Sequence, residues 1–308
     1  MDIIVTIIPI FAVIGLGCIA RMIGFIRKEF LEPANRLVYY LAIPAMIFRS
    51  IAQTSLKTQL DITVIAVTLI AVIASFVIVW SAGAIFRVKK SQLGTFVQSS
   101  VHGNLGYIGL AVAFYYLGGD GLTRASIIAG FVMILQNLLA ITALQSFGRS
   151  VLGARKWLKS FGKIIGNPVI VSALVGILFS VAEIPLPVVV DRSLKILAGM
   201  ALPMALLVIG AALSFEQIWQ RIIPVCMTGV FKLLLLPGIG FMLYTFFNVS
   251  AHDYLPGLIL LASPTATVAY VMAKEMNGDA DLAGAAISLS TLLSGVTFIV
   301  WLNISVRP

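Results

Sequence analysis

The chain has 308 residues, 60% of them hydrophobic and only 11% charged, with a mean hydropathy of +1.07. Soluble domains carry about 25% charged residues, so the composition excludes a soluble globular fold and puts much of the surface in lipid. The net charge of +9 comes mostly from Lys and Arg lying between apolar runs, which argues for membrane orientation and against a nucleic-acid partner.

Ten apolar runs follow one another, at 3–22, 34–52, 61–86, 94–116, 123–146, 166–183, 193–213, 221–247, 254–274 and 280–302. A helix needs ~20 apolar residues to cross the hydrocarbon core, so the spacing predicts ten transmembrane helices. The first run starts at Met1-Asp2-Ile3, with no basic segment before it and no small-residue cleavage site after it, and is expected to be retained. Cys18 and Cys226 both sit in apolar runs and suggest neither a disulfide nor a metal site. In the second run, Leu41-Ala42-Ile43-Pro44 is expected to kink at the proline, and Arg49 to snorkel from near the outer end.

The fourth run contains Ser99-Ser100-Val101-His102-Gly103-Asn104-Leu105-Gly106-Tyr107-Ile108-Gly109. This is a poor helix, since each Gly costs about 1 kcal/mol relative to Ala. Gln136 and Asn137, in the fifth run, are expected to stand beside it. The basic stretch 147–165 reads as a cytoplasmic linker between two halves, 1–146 and 166–308. The sixth run is short and leaves through Glu183-Ile184-Pro185-Leu186-Pro187, a turn; Pro203 is expected to kink the seventh. Lys232 stands near the centre of the eighth, where a charge costs about 2.5–3.5 kcal/mol and is a functional hypothesis by default. It either attracts an anion or donates to a freed carbonyl. The ninth run contains Leu261-Ala262-Ser263-Pro264-Thr265-Ala266-Thr267, in which Pro264 removes a backbone donor.

Pro203 follows Pro44 by 159 residues. The same offset relates Gly278-Asp279 to Gly119-Asp120, Gly176 to Gly17, Lys195 to Arg36 and Ser214 to Ser55. Matches in one register predict a duplicated unit. Five spans per unit is an odd number, so the second copy enters from the opposite side. That is the inverted repeat of many secondary transporters. Both copies interrupt the same span, and paired breaks point to a transporter's binding site, because bare backbone at membrane depth needs a protein or wet surround. The residues expected to line the site are Gly103, Asn104, Gly106, Tyr107, Ser263, Pro264, Thr265 and Thr267. Gln98 is a further neutral group, and Lys232, His102, Gln136 and Asn137 are in support. His102 either carries a coupled proton or stays neutral and hydrogen-bonded.

Broken helices leave half-helix N-termini, which are partially positive, near the midplane. Every Asp and Glu falls at a span end or in a loop. Together these point to a small organic anion as cargo. No P-loop, dinucleotide fingerprint or His/Glu metal spacing is present, so no enzyme activity, cofactor or metal is expected. Fourteen Lys and Arg fall on one side of the ten spans and six on the other. The richer side is expected to be cytoplasmic, with both termini outside. The rival readings are a sodium- or proton-coupled symporter for another solute, and a channel or receptor.

The sequence resembles the auxin efflux carrier family, which includes plant PIN proteins and bacterial malate and malonate permease-like proteins. The resemblance runs through nearly the whole chain. It rests on Leu41-Ala42-Ile43-Pro44, Gly103-Asn104-Leu105-Gly106-Tyr107-Ile108-Gly109, Lys232-Leu233 with Pro237, Pro264 with Ala273-Lys274-Glu275-Met276-Asn277, and the Ser-rich tenth span from Ala283 to Trp301. It implies an all-α polytopic fold of ten helices in two inverted repeats. Helices four and nine would cross as broken helices, as in sodium/proton antiporter and bile-acid transporter folds. Helices one, two, six and seven would form a scaffold, often a dimer surface in a plasma or inner membrane, and the other six would move. Asn104 falls on the family's crossover Asn and Pro264 on its ninth-span Pro. In one departure, Gly109 is followed by Leu110-Ala111 where the family often has Pro, so the first break relies on glycine.

Overall fold

The structure, a computed structural model, describes residues 3–54, 61–147 and 166–306. The expected linker lies outside these residues but for Phe147, together with its five cations and with Ser55, Lys57 and Arg307. Among the described residues every regular element is helical, and one isolated antiparallel bridge joins Gly103 to Thr265.

Helix α1 is Ile3–Met22, and α2 (Lys28–Leu37) runs through a π turn, Val38–Ala42, into α3 (Ile43–Ala52). Pro44 is in the first turn of α3, so Tyr40 loses its regular i+4 donor and the wider turn takes up the mismatch. Helix α4 (Ile62–Ile85) is capped by Asp61, whose carboxylate accepts from the N–H groups of Thr63 and Val64 at 2.8 and 3.1 Å. Helix α5 (Lys90–Val101) stops inside the buried core, and the chain resumes as a π turn, Leu105–Gly109, leading into α6 (Leu110–Phe147). Gly118 breaks α6 with φ 74° and ψ −161°, a conformation closed to residues with a Cβ.

Helix α7 is Pro168–Val181, capped by Asn167 with Pro at its first position. Helix α8 (Val188–Ala212) contains Pro203. A short 3₁₀ turn leads to α9 (Ile222–Val230), a π turn at Phe231–Leu235, and α10 (Leu236–Phe246). Pro237 frees the carbonyl of Leu233, and the Trp301 indole N–H donates to it at 2.9 Å. Then come α11 (Ala251–Ala262), α12 (Val268–Glu275) and α13 (Ala280–Val306).

Six described helical stretches are long and apolar enough to cross a membrane: Ile3–Met22, Ile62–Ile85, Leu105–Phe147, Val188–Ala212, Trp219–Phe246 and Ala280–Ser305. Pro168–Val181 is a shorter apolar helix. Large apolar side chains such as Ile8, Val77, Val189 and Val296 face outward, while the buried polar residues gather where α5, α6, α11 and α13 meet. This is inside-out relative to a water-soluble fold, and lipid is the solvent that permits it.

Two close approaches tie the first helices of each half to the other half. A Cβ on Gly17 of α1 would strike the Leu207 carbonyl of α8, and one on Gly176 of α7 would lie 3.3 Å from the Phe48 carbonyl of α3. Gly176 and Leu207 each follow their counterparts, Gly17 and Phe48, by 159 residues. The two contacts thus join positions related by the same 159-residue offset.

Arg49 does not snorkel. Its guanidinium meets Asp191 of α8 at 2.7 Å, and Gln53 donates to the same carboxylate at 2.5 Å. A neighbour that the sequence left 142 residues away satisfies the charge.

Candidate functional site

The site is built from two interruptions. Helix α5 ends where Gly103, Asn104 and Gly106 lower helix propensity and Ser100 back-bonds to the Phe96 carbonyl at 2.8 Å. Helix α11 ends at Ser263, whose extended backbone precedes Pro264. The two stretches then pair with each other. The Asn104 N–H donates to the Pro264 carbonyl at 2.7 Å and the Ala266 N–H to the His102 carbonyl at 2.8 Å. Gly103 is required by this approach, because a Cβ there would lie 2.7 Å from Ser263 Oγ and 3.3 Å from Lys232 Cε.

Bare backbone this deep must find partners. At the first break, Gln136 of α6 acts as a strap: its Oε1 accepts from the Gly103 N–H and its Nε2 donates to the Val101 carbonyl, both at 3.1 Å. Thr265 Oγ1 donates to the Ser99 carbonyl at 2.8 Å, and the Thr265 N–H donates to Ser290 Oγ of α13 at 3.1 Å. At the second break, Ser263 Oγ donates to the Leu260 carbonyl, which Pro264 deprives of its helical donor, at 2.6 Å. Lys232 Nζ donates to the Leu261 carbonyl at 2.8 Å. The π turn at Phe231–Leu235 advances the helix phase by one residue and brings Lys232 inside, where it is fully buried. Among the described residues no carboxylate forms an ion pair with it.

Several buried polar atoms have no protein partner: Asn104 Nδ2, His102 Nδ1, Gln98 Oε1, Ser99 Oγ and Thr291 Oγ1. An unmatched buried donor costs about 1–3 kcal/mol. Asn104 therefore presents an unused amide donor at the junction.

The structure brings together Gly103, Asn104, Ser263, Pro264, Thr265, Lys232, His102 and Gln136. Gly106 lies one turn on, near Met133. Thr267 is the half-buried N-cap residue of α12, without a side-chain cap. Tyr107 turns aside, and its hydroxyl donates to Asn35 of α2 at 2.6 Å. Asn137 donates to Met133 in its own helix at 2.7 Å. Ser290 and Asn35 were not foreseen. Serine is common enough in α13 that no single one stood out, and Asn35 sits in an amphipathic segment 69 residues before Asn104.

Ion pairs gather at the helix ends around this centre. Arg124 meets Asp253 at 3.1 Å. Hydrogen bonds from Ser250, His252 and Arg124 hold the Asp253 carboxyl below its usual range. Arg221 meets Asp279 and Asp281, each at 3.2 Å. Burial raises the Asp279 carboxyl, but donation from Gln92, the Leu282 N–H and Arg221 outweighs it and the net direction is down.

A family model described as membrane transport protein matches residues 2–152 and 154–302. The chain belongs to this family. It is the auxin efflux carrier family that the sequence resembles. An uncharacterized transporter of Methanocaldococcus jannaschii is 22% identical over 295 residues, covering 92% of this chain and 93% of its own length. Another from Methanothermobacter thermautotrophicus is 25% identical over 304 residues, 96% of each chain. A provisionally named malonate transporter of Rhizobium meliloti is 24% identical over 304 residues, covering 94% of this chain and 92% of its own. As a member of the membrane transport family with several apolar helices, the chain is a multi-pass membrane protein.

Proposed function

We propose that this member of the membrane transport family is a secondary transporter of a small organic anion, working by alternating access at the junction of the two breaks. One observation carries the reading. The two interrupted helices meet at Gly103 and Thr265 with an unused Asn104 amide donor and a buried Lys232 amino group, which forms no ion pair with a carboxylate among the described residues. In a crossing of broken helices, two partial positive N-termini oppose two partial negative C-termini. Lys232 caps one of the C-termini and tips the balance positive. Asn104 then binds a carboxylate, and the backbone amides beside Pro264, which here donate to Ser290 Oγ and the His102 carbonyl, join it by exchanging those partners for the anion. Ser263, Thr265 and Thr267 supply neutral contacts.

The fold behind this reading is ten spans in two inverted repeats, 1–146 and 166–308. Spans four and nine form a crossover, spans one, two, six and seven a scaffold, and the other six a moving set. The 159-residue recurrence, the Gly17 and Gly176 contacts and the length of Leu105–Phe147 support it. That stretch has 43 residues, twice the ~20 that one crossing needs, and Gly118 offers the bend. The basic loops face the cytoplasm, both termini lie outside, and the scaffold offers a surface for a homodimer.

Malonate is the first cargo to test, because one relative bears that name. Purified protein in proteoliposomes is expected to take up malonate or another small carboxylate, and Asn104→Ala to abolish the flux while the protein stays folded. Unchanged flux in that variant would refute the site. The buried, unpartnered His102 Nδ1 favours one second reading, proton-coupled symport. Flux measured with and without a proton gradient separates the two, and a sodium gradient tests the remaining coupling.

A further inference from the structure

In the arrangement proposed above, α2 and α3 belong to the fixed set and the turn after the first break to the moving set. Within each set both ion pairs and neutral hydrogen bonds occur, whereas three links between the sets are neutral. The Arg–Asp pairs stay inside one set: Arg49 with Asp191 joins α3 to α8, Arg124 with Asp253 joins α6 to α11, and Arg221 with Asp279 and Asp281 joins the start of α9 to the start of α13. Three links that cross between the sets are neutral. Ser50 and Thr123 hydroxyls meet at 2.6 Å, the Ser214 N–H donates to Ser288 Oγ at 3.0 Å, and the Tyr107 hydroxyl donates to Asn35 Oδ1 at 2.6 Å.

Of these three, the tyrosine link reaches the junction itself. Tyr107 is three residues beyond Asn104, in the π turn that closes with the Gly109 N–H on the Asn104 carbonyl at 3.0 Å. It is buried, while Asn35 is exposed on α2. A single side chain thus runs from the turn that presents Asn104 to the edge of the fixed set. Parting a partly exposed Arg–Asp pair leaves two charges to be solvated, whereas a neutral hydrogen bond is exchanged for water without leaving a charge behind. A contact that must open in every cycle is suited to the second kind.

We propose that the Tyr107–Asn35 hydrogen bond is a latch, holding the binding turn against α2 in one access state and releasing whenever the site turns to the other side. The proposal rests on the transporter reading, so its test has two arms. In the first, a Cys18→Ala, Cys226→Ala protein carries Tyr107→Cys and Asn35→Cys, joined by a reducible bis-methanethiosulfonate of matching length. Bridging is expected to stop malonate uptake and reductant to restore it. Bridged protein that carries malonate at the reduced rate overturns the latch. The second arm needs no cargo and no cysteines. In Tyr107→Phe, the amides of 105–109 are expected to exchange hydrogen about fivefold faster, as the loss of one neutral hydrogen bond implies. Unchanged exchange overturns the latch. If the reduced and natural proteins both fail to carry malonate, the cargo reading has failed, and the exchange arm alone decides the latch.

Discussion

Lys232 shows most directly how a single side chain sets the character of the junction. It is fully buried and donates to the Leu261 carbonyl. Removing it has two opposed effects on stability. The Leu261 carbonyl loses its donor, at about 1–3 kcal/mol, and the protein is relieved of a buried charge, whose desolvation costs several kcal/mol. Lys232→Met, similar in volume, is therefore expected to leave the thermal midpoint within a few degrees of the natural protein while anion flux falls at least about tenfold, as the junction loses the donor that caps the end of α11 and any positive charge it carries. Thermal melts beside malonate flux check this, and a collapsed melt would assign Lys232 to stability alone. The sequence offered donation to a freed carbonyl as one of two roles for a charge at mid-span, and that is the contact the structure makes. Which carbonyl it serves was hidden, because Leu261 is 29 residues away and the phase of its helix depends on a π turn.

The helices around the junction end by ordinary rules in unusual places. Asp279 caps α13 by accepting from the Leu282 N–H at 3.0 Å, and it also accepts from Gln92 of α5 and from Arg221. One carboxylate thus ties the end of the second broken helix to the start of the first. Its folded-state value is depressed. The stability it contributes is therefore present above the unfolded-state value, about 4, and is lost as pH falls through the lower folded value. The thermal midpoint of the natural protein is expected to drop as pH is taken from about 5 toward 3. In Asp279→Asn this part of the drop should be absent, with a lower midpoint at neutral pH. Equal pH profiles for the two proteins would remove Asp279 from the account. The element bounds were legible where apolar runs met Gly, Pro or Asx. The π turns before Pro44 and Pro237 were not, because they arise from a proline's missing donor being absorbed upstream, and sequence alone does not say whether a helix kinks or widens there.

Across the whole molecule, the contacts at Gly17 and Gly176 tie the outer helices of each half to the other half. Neither position can accept a side chain without moving a backbone carbonyl or the packed Ile51. Gly17→Leu and Gly176→Leu are each expected to destabilise the protein by about 3 kcal/mol or more, read as a lower melting temperature and lower yield of folded protein. Should Gly17→Leu melt like the natural protein, the α1–α8 contact would lose its place in the fold. Ion pairs follow the same large-scale order. Arg49 was expected to reach for water and instead meets Asp191, because two spans remote in sequence stand side by side.

Composition, run length and the Gly and Pro breaks were enough to determine a helical membrane protein and to name Gly103, Asn104 and Pro264 as its weak points, while the motifs that resemble the auxin efflux carriers pointed to the transport family. Those are local properties: hydropathy sets the solvent, and propensity sets where a helix fails. Only the tertiary structure decided which freed carbonyl meets which donor, sending Gln136 to the first break, Lys232 to the second, Tyr107 away to Asn35 and Asn137 back to its own helix. Those pairings join residues from 4 to 72 positions apart, and hydrogen bonds select partners by distance in space, which the order of residues does not encode.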